Sequence, residues 1–234
     1  MTSANLPYGV TVYSGVAYPD LCKRLIDHFE SIPKPSNDQR INGKPGSFVY
    51  LEIDEENLVS SPAVREAYIR IKKQVSKYLD EYVADADLRE KIKKGIFSLQ
   101  PRMKRYDCGG GFPLHSDDST IAALLRRFAY ILYLNDNFEG GDTIFRSGTG
   151  ELARITPSQG ALTIFPIHPV LMHEGAVVTQ GSKYIFNGFV STITSQARVA
   201  SAGEEVSRFQ IISAEIVHYT SSLLRAAEKV FGNQ

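Results

Sequence analysis

The sequence predicts a mainly β domain with helices on its outside, a sandwich or barrel of short strands. Short runs rich in β-branched and aromatic residues recur after Gly95, at residues 96–99, 128–134, 143–145, 161–165, 175–178 and 184–193, each bounded by Gly, Asn, Asp or Pro. Many short strands at that rhythm suit a closed or stacked sheet. Helical periodicity is confined to the two ends of the chain, and 234 residues are enough to bury one full core.

Each element has a local reason. After Pro19-Asp20, residues 18–32 place Leu21, Leu25, Ile26 and Phe29 at spacings of three and four, the pattern of an amphipathic helix. A second helix is expected over 62–83, with Val64, Tyr68, Ile71, Val75 and Leu79 on one stripe and charges opposite. Residues 32–46 hold three prolines, two glycines, two asparagines and a serine, and are expected to be a loop and a candidate lid. A last helix is expected over 204–231, where Phe209, Ile212, Ile216, Leu223, Leu224 and Ala227 recur at helical spacing.

Composition excludes some partners. Lys plus Arg equals Asp plus Glu at 26 each, so no long-range attraction to nucleic acid or to an anionic membrane is expected. Cys22 and Cys108 lack zinc-site spacing and are expected as free thiols in a reducing compartment. With no secretory leader pattern and no apolar run of membrane-spanning length, the chain is expected to be soluble and cytoplasmic. Its oligomeric state is left open.

The chemistry-bearing stretch runs from Arg105 through Gly109-Gly110-Gly111 to His115-Ser116-Asp117. In extended backbone, residues two apart point to the same side, so His115 and Asp117 can grip one ion. A second histidine would complete a facial triad that leaves positions on a metal open. His173 stands 56 residues after Asp117, and a strand and tight turn then lead to Lys183 on a neighbouring strand. If Lys183 points inward, its ammonium can meet the far carboxylate of a dicarboxylate chelated at the metal.

These residues resemble the prolyl 4-hydroxylase-like branch of the Fe(II)/2-oxoglutarate-dependent dioxygenases. The resemblance runs through Tyr106, Gly109-Gly110, Phe112, His115-x-Asp117, Tyr133-Leu134-Asn135, Gly140-Gly141-Asp142-Thr143, Gly160-Ala161, Phe165, His173 and Lys183. It implies His115, Asp117 and His173 as iron ligands, Lys183 as the residue for the distal carboxylate of 2-oxoglutarate, and Tyr106 as a hydrogen-bond donor to the same molecule. It implies hydroxylation of an unactivated C–H bond by Fe(II), 2-oxoglutarate and O2, with succinate and CO2 released and room for ascorbate as an accessory reductant. The substrate would be a prolyl residue of a peptide or protein, a free amino acid or another small molecule. The fold implied is a double-stranded β-helix, or jelly roll, in a single domain spanning 1–234. Within it, 1–94 gives helical support and outer strands, 95–195 the catalytic core, and 204–231 the C-terminal helix. Phe112 stands where many relatives carry tyrosine, and Lys183 where others carry arginine.

Other readings stand beside this one. A catalytically silent cupin-like binding module would have no reason to keep the triad with Lys183. A hydrolytic zinc site would not need a cation ten residues after its last ligand. His168, between Pro166 and Pro169, reads as a surface histidine, and His28 and His218 as helix histidines. Asp118 and Glu174 are expected to point away from the metal, Arg126-Arg127 to form a solvated edge rather than to meet an anionic substrate group, Gly109–Gly111 to permit a turn or a close backbone approach, and Gly140-Gly141 to make a hairpin connection. Tyr130, Ile131, Leu132 and Phe165 are expected to wall the site, and Phe145, Arg146 and Asn187 to neighbour the substrate.

Overall fold

Alternation along the strands sorts apolar side chains to two faces, and each face finds its own cover. The computed structural model describes residues 3–33, 38–41, 44–87, 89–90, 96–118, 126–148 and 150–192. In chain order the strands are β1 (Ser3–Asn5), β2 (Thr11–Tyr13), β3 (Asp38–Ile41), β4 (Lys44–Ser47), β5 (Val49–Glu52), β6 (Ile96–Asp107), β7 (Phe112–His115) and β8 (Arg126–Tyr133). They continue as β9 (Glu139–Gly140), β10 (Thr143–Ser147), β11 (Gly150–Ile155), β12 (Leu162–Pro166), β13 (Met172–Gly175), β14 (Val178–Gln180) and β15 (Ser182–Thr192). The helices are α1 (Pro19–Ser31), α2 (Glu55–Ser60) and α3 (Pro62–Tyr82).

A seven-stranded sheet in the order β1-β2-β12-β8-β15-β6-β5 and a four-stranded sheet β11-β10-β13-β7 make the jelly roll. On the outer face of the larger sheet, Met103, Phe128, Leu132, Leu162, Ile164 and Phe186 form one core with Leu21, Leu25 and Phe29 of α1 and Val64, Ile71, Val75 and Leu79 of α3. A second core, including Tyr106, Tyr133, Phe145, Ile155, Phe165, Val178 and Ile185, fills the interior. Along β8 the even positions serve the helices, while Ala129, Ile131 and Tyr133 turn inward.

Both long helices start as their sequences dictate. Pro19 and Pro62 occupy first-turn positions, where a missing N–H costs nothing. Ser61 caps α3 by accepting from the Val64 N–H, and Asp54 caps α2 by accepting from Asn57 at 2.8 Å.

Three expectations change. Part of the expected 32–46 loop is a hairpin, β3 pairing with β4 from Asp38↔Ser47 to Ile41↔Lys44. Backbone pairing asks little of composition, and the intervening Asn42-Gly43 is a favoured hairpin dipeptide. The segment after His173 is not the hairpin partner of the Lys183 strand: β13 belongs to the smaller sheet, β14 pairs with β9, and β15 lies between β8 and β6. Gly140 belongs to β9, which pairs with β14, and Gly141 leads on to β10 of the smaller sheet, so Gly140-Gly141 is no hairpin turn. The helix expected over 204–231 lies outside the described residues.

Candidate metal and co-substrate site

The smaller sheet sets the two histidines side by side. His115 ends β7 directly opposite His173 of β13, with ring centres 4.2 Å apart. Asp117 follows one residue beyond the strand, its Oδ1 3.4 Å from His115 Nε2 and its Oδ2 3.7 Å from His173 Nε2. One ligand atom from each residue lies within 4.8 Å of the others, an arrangement that could hold a metal ion. The His115 ring is fixed by Nδ1 donating to the Pro113 carbonyl at 2.9 Å. A carbonyl only accepts, so Nδ1 carries a proton, and in the neutral tautomer Nε2 presents its lone pair to the site.

Electrostatics favour the ligand forms. Burial holds the pKa of His173 down at about 3, leaving the imidazole neutral. Burial alone would raise Asp117, but His173, His115 and Arg126 outweigh it and bring the carboxyl to about 2. A neutral imidazole and an ionised carboxylate are the states that coordinate a divalent ion. Phe165 packs edge-on to His173 at 4.9 Å, with Phe145 behind it at 5.8 Å, so the ligand face is rigid and dry on one side.

Across a cavity of about 250 Å³ stands Lys183, on the larger sheet and 4% exposed. Its ammonium donates to the Gly141 carbonyl at 2.5 Å and lies 5.8 and 5.5 Å from the ring centres of Tyr106 and Tyr133. Burial lowers its pKa to about 8, against a smaller opposing pull from Asp142. Tyr106 is opposite Lys183 in register and faces the same cavity. Burial pushes its phenol well above the ordinary range, so it stays a donor. Lys183 thus reaches the site from the facing sheet.

The remaining candidates fall on both sides. His168 is exposed, its Nδ1 accepting from the Val170 N–H, and takes no part; His218 lies outside the described residues. His28 of α1 sits 3.2 Å from Asn57 Oδ1. Ser116 donates to Asp118, and Glu174 pairs with Arg146 at 2.8 Å, so neither carboxylate is a ligand. That pairing also occupies Arg146, and Phe145 is a fully buried wall behind His173, so of the three expected substrate neighbours Asn187 alone lines the cavity. Leu132 faces the helices, Ile131 and Phe165 wall the cavity, and Tyr130, though part of the helix-side core, also lines it. Cys22 and Cys108 are both free thiols.

Sequence reasoning favoured an edge for Arg126 and missed two further cations, Arg102 and Lys104. Arg126 is no edge residue: it lines the cavity, donates to the Asp117 carbonyl at 3.3 Å and lies 3.8 Å from the Phe189 ring centre, while Arg127 is exposed. Arg102 and Lys104 join Tyr106 on the inner face of β6. Parity along a strand was the available signal, since residues two and four before Tyr106 must share its face.

Residues 101–191 match the family model of the 2OG-Fe(II) oxygenase superfamily. The matched stretch carries the His-Asp-His cluster and Lys183, and it is similar to a family of dioxygenases that work with Fe(II), 2-oxoglutarate and O2. Its fold is prolyl 4-hydroxylase-like. A viral collagen prolyl hydroxylase from Paramecium bursaria Chlorella virus-1 is 19% identical, with 80% of this chain and 98% of that chain covered and a TM-score of 0.58. For a Pseudomonas putida prolyl-4-hydroxylase the values are 16%, 80%, 94% and 0.60. A Trichoplax adhaerens prolyl hydroxylase, in complex with a hypoxia-inducible-factor peptide, gives 15%, 84%, 88% and 0.60. Comparison of the sequence with curated proteins finds no significant match.

Proposed function

We propose that His115, Asp117 and His173 hold iron(II), that Lys183 and Tyr106 bind the distal carboxylate of 2-oxoglutarate, and that the enzyme hydroxylates an unactivated C–H bond of an organic substrate. The observation that carries this is the pairing of two poles in one cavity: a carboxylate-bearing triad on one sheet and a buried lysine on the other. When bound, the iron, the keto acid and O2 supply the oxidant, 2-oxoglutarate leaving as succinate and CO2 while one oxygen atom enters the substrate.

The protein's own groups do the rest. Lys183 supplies a charge to a carboxylate that would otherwise be desolvated without a partner. The Tyr106 hydroxyl adds a donor beside it, and the aromatic wall keeps that interaction strong by excluding water. Lysine binds as a point charge, so the Gly141 carbonyl, by fixing the ammonium, does the orienting that a guanidinium fork would do unaided. We extend the reading to one domain over the full 234 residues, and to the cytoplasm, in keeping with an exposed free thiol at Cys108.

The test is succinate formation from 2-oxoglutarate under air with added iron(II). The wild type should turn over slowly without any second substrate, His173→Ala should not, and Lys183→Ala should need at least ~tenfold more 2-oxoglutarate, the loss expected for one charge-assisted contact. Equal succinate from wild type and His173→Ala would remove the reading.

A further inference from the structure

The cavity holds more positive charge than the co-substrate uses, and one cation in it has no hydrogen-bond or ion-pair partner among the described residues. Lys104 is 7% exposed, and its ammonium lies 4.8 and 4.7 Å from the ring centres of Phe48 and Phe112. The other charged groups lining the cavity are committed. Lys183 donates to Gly141, Arg102 pairs with Glu52 at 2.9 Å, Arg126 donates to the Asp117 carbonyl, and Glu174 pairs with Arg146. No described oxygen accepts from Lys104. Two aromatic faces soften the cost of burying that ammonium without replacing an anion.

Register says which anion is missing. In the β6–β15 pair, Tyr106 faces Lys183, Lys104 faces Ile185 and Arg102 faces Asn187. Lys104 is therefore one inward step from Tyr106 along β6 and a diagonal neighbour of Lys183 across the pair, about 7–8 Å between backbone positions, on the side toward Arg102 and Arg126. A 2-oxoglutarate anchored at Lys183 leaves Lys104 to a second molecule. One inward step further along β15, Asn187 Oδ1 is buried without a donor. Asn187 and Lys104 are diagonal neighbours across the pair, about 7–8 Å between backbone positions. An unpaired ammonium and an unpaired carbonyl oxygen on neighbouring inward positions of one cavity ask for one small molecule bearing both a carboxylate and an N–H.

We propose that the primary substrate is a free amino acid, its carboxylate held by Lys104 and its nitrogen facing Asn187. This rests on the oxygenase reading and names what that site oxidises. An internal residue of a peptide offers no carboxylate at its own backbone, so Lys104 selects against peptidyl substrates. Arg102 and Arg126 supply background positive potential and leave the direct contact to Lys104.

The test is anaerobic calorimetry on the full chain loaded with iron(II) and 2-oxoglutarate, titrating each of the twenty free L-amino acids and its N-acetyl amide, with the visible keto-acid–iron band as a check on the loaded site. At least one free amino acid should bind and perturb the band, its amide should bind roughly tenfold or more weakly, Lys104→Met should erase that difference, and Lys104→Arg should retain it. A band with no amino acid bound, or equal binding of acid and amide, overturns the proposal and leaves the oxygenase reading standing. So does a Lys104→Met variant whose 2-oxoglutarate requirement rises as much as that of Lys183→Ala, which would make Lys104 a second co-substrate contact. Absence of the band in the wild type removes both.

Discussion

Two buried lysines set the tone at the scale of single residues. Burial lowers the pKa of Lys104 to about 7, helped by Arg102 and Lys183 and opposed by Asp117, and lowers that of Lys183 to about 8. In the unfolded chain both sit near 10.4, so between the two values the unfolded state binds protons that the folded state has lost. Stability of the ligand-free protein therefore rises with pH from about 7 toward 10, each lysine adding up to about 1.4 kcal/mol per unit. Urea unfolding at pH 7 and pH 9 should show that rise, and Lys104→Met should be the more stable protein at pH 7 with a shallower slope. A flat profile in the wild type would mean that the ammonium groups are solvated. Gly141 is the second sensitive residue: its φ is +70°, and an added Cβ would lie 2.9 Å from Phe138 and 3.2 Å from the Lys183 stem. Gly141→Ala should raise the 2-oxoglutarate requirement several-fold in the succinate assay without abolishing iron binding.

Elements show how much was legible. Helices α1 and α3 follow the apolar stripes to within a residue of the expected bounds, because a 3.6-residue period over thirteen or twenty-one residues has no competing reading. Strands were found where β-branched runs are buried on both faces, as in β8, β12 and β15. They were missed where charged or polar residues interrupt a short run, as in β3 and β11, or where a proline and a glycine do, as in β4. Strand partners were not legible, since the turn at Thr179–Ser182 looks like a hairpin in sequence, yet β15 pairs with β6, some 80 residues earlier in the chain. The triad could be read because ligand chemistry restricts residue type, whereas Lys104 could not, since a lysine in a strand looks the same facing water or a cavity. One packing contact tests the junction of helix and barrel: at Gly160, φ is +76°, and an added Cβ would sit 1.9 Å from the Ala17 carbonyl oxygen, whose group accepts no such approach. That carbonyl precedes α1, and Gly160 O receives the Val16 and Ala17 N–H groups. Gly160→Ala should cost more than about 2 kcal/mol, read by denaturant unfolding, because left-handed strain and backbone overlap add. A cost under about 0.5 kcal/mol would show that the junction yields freely.

For the molecule as a whole, the two sheets divide the labour. The smaller sheet carries the histidines, the larger carries Lys183, Tyr106 and Lys104, and the helices back the larger sheet from outside, so each pole is held by its own rigid support. Under the proposed function, their separation across the jelly roll sets the span for a five-carbon keto diacid. The most direct measurement adds iron(II) and then 2-oxoglutarate to metal-free protein without oxygen and records the visible charge-transfer band of a chelated keto acid. A band in the wild type, lost in His173→Ala and requiring at least ~tenfold more 2-oxoglutarate in Lys183→Ala, is the predicted result. Iron bound with no band, or a band indifferent to Lys183, would contradict the assignment of the two poles.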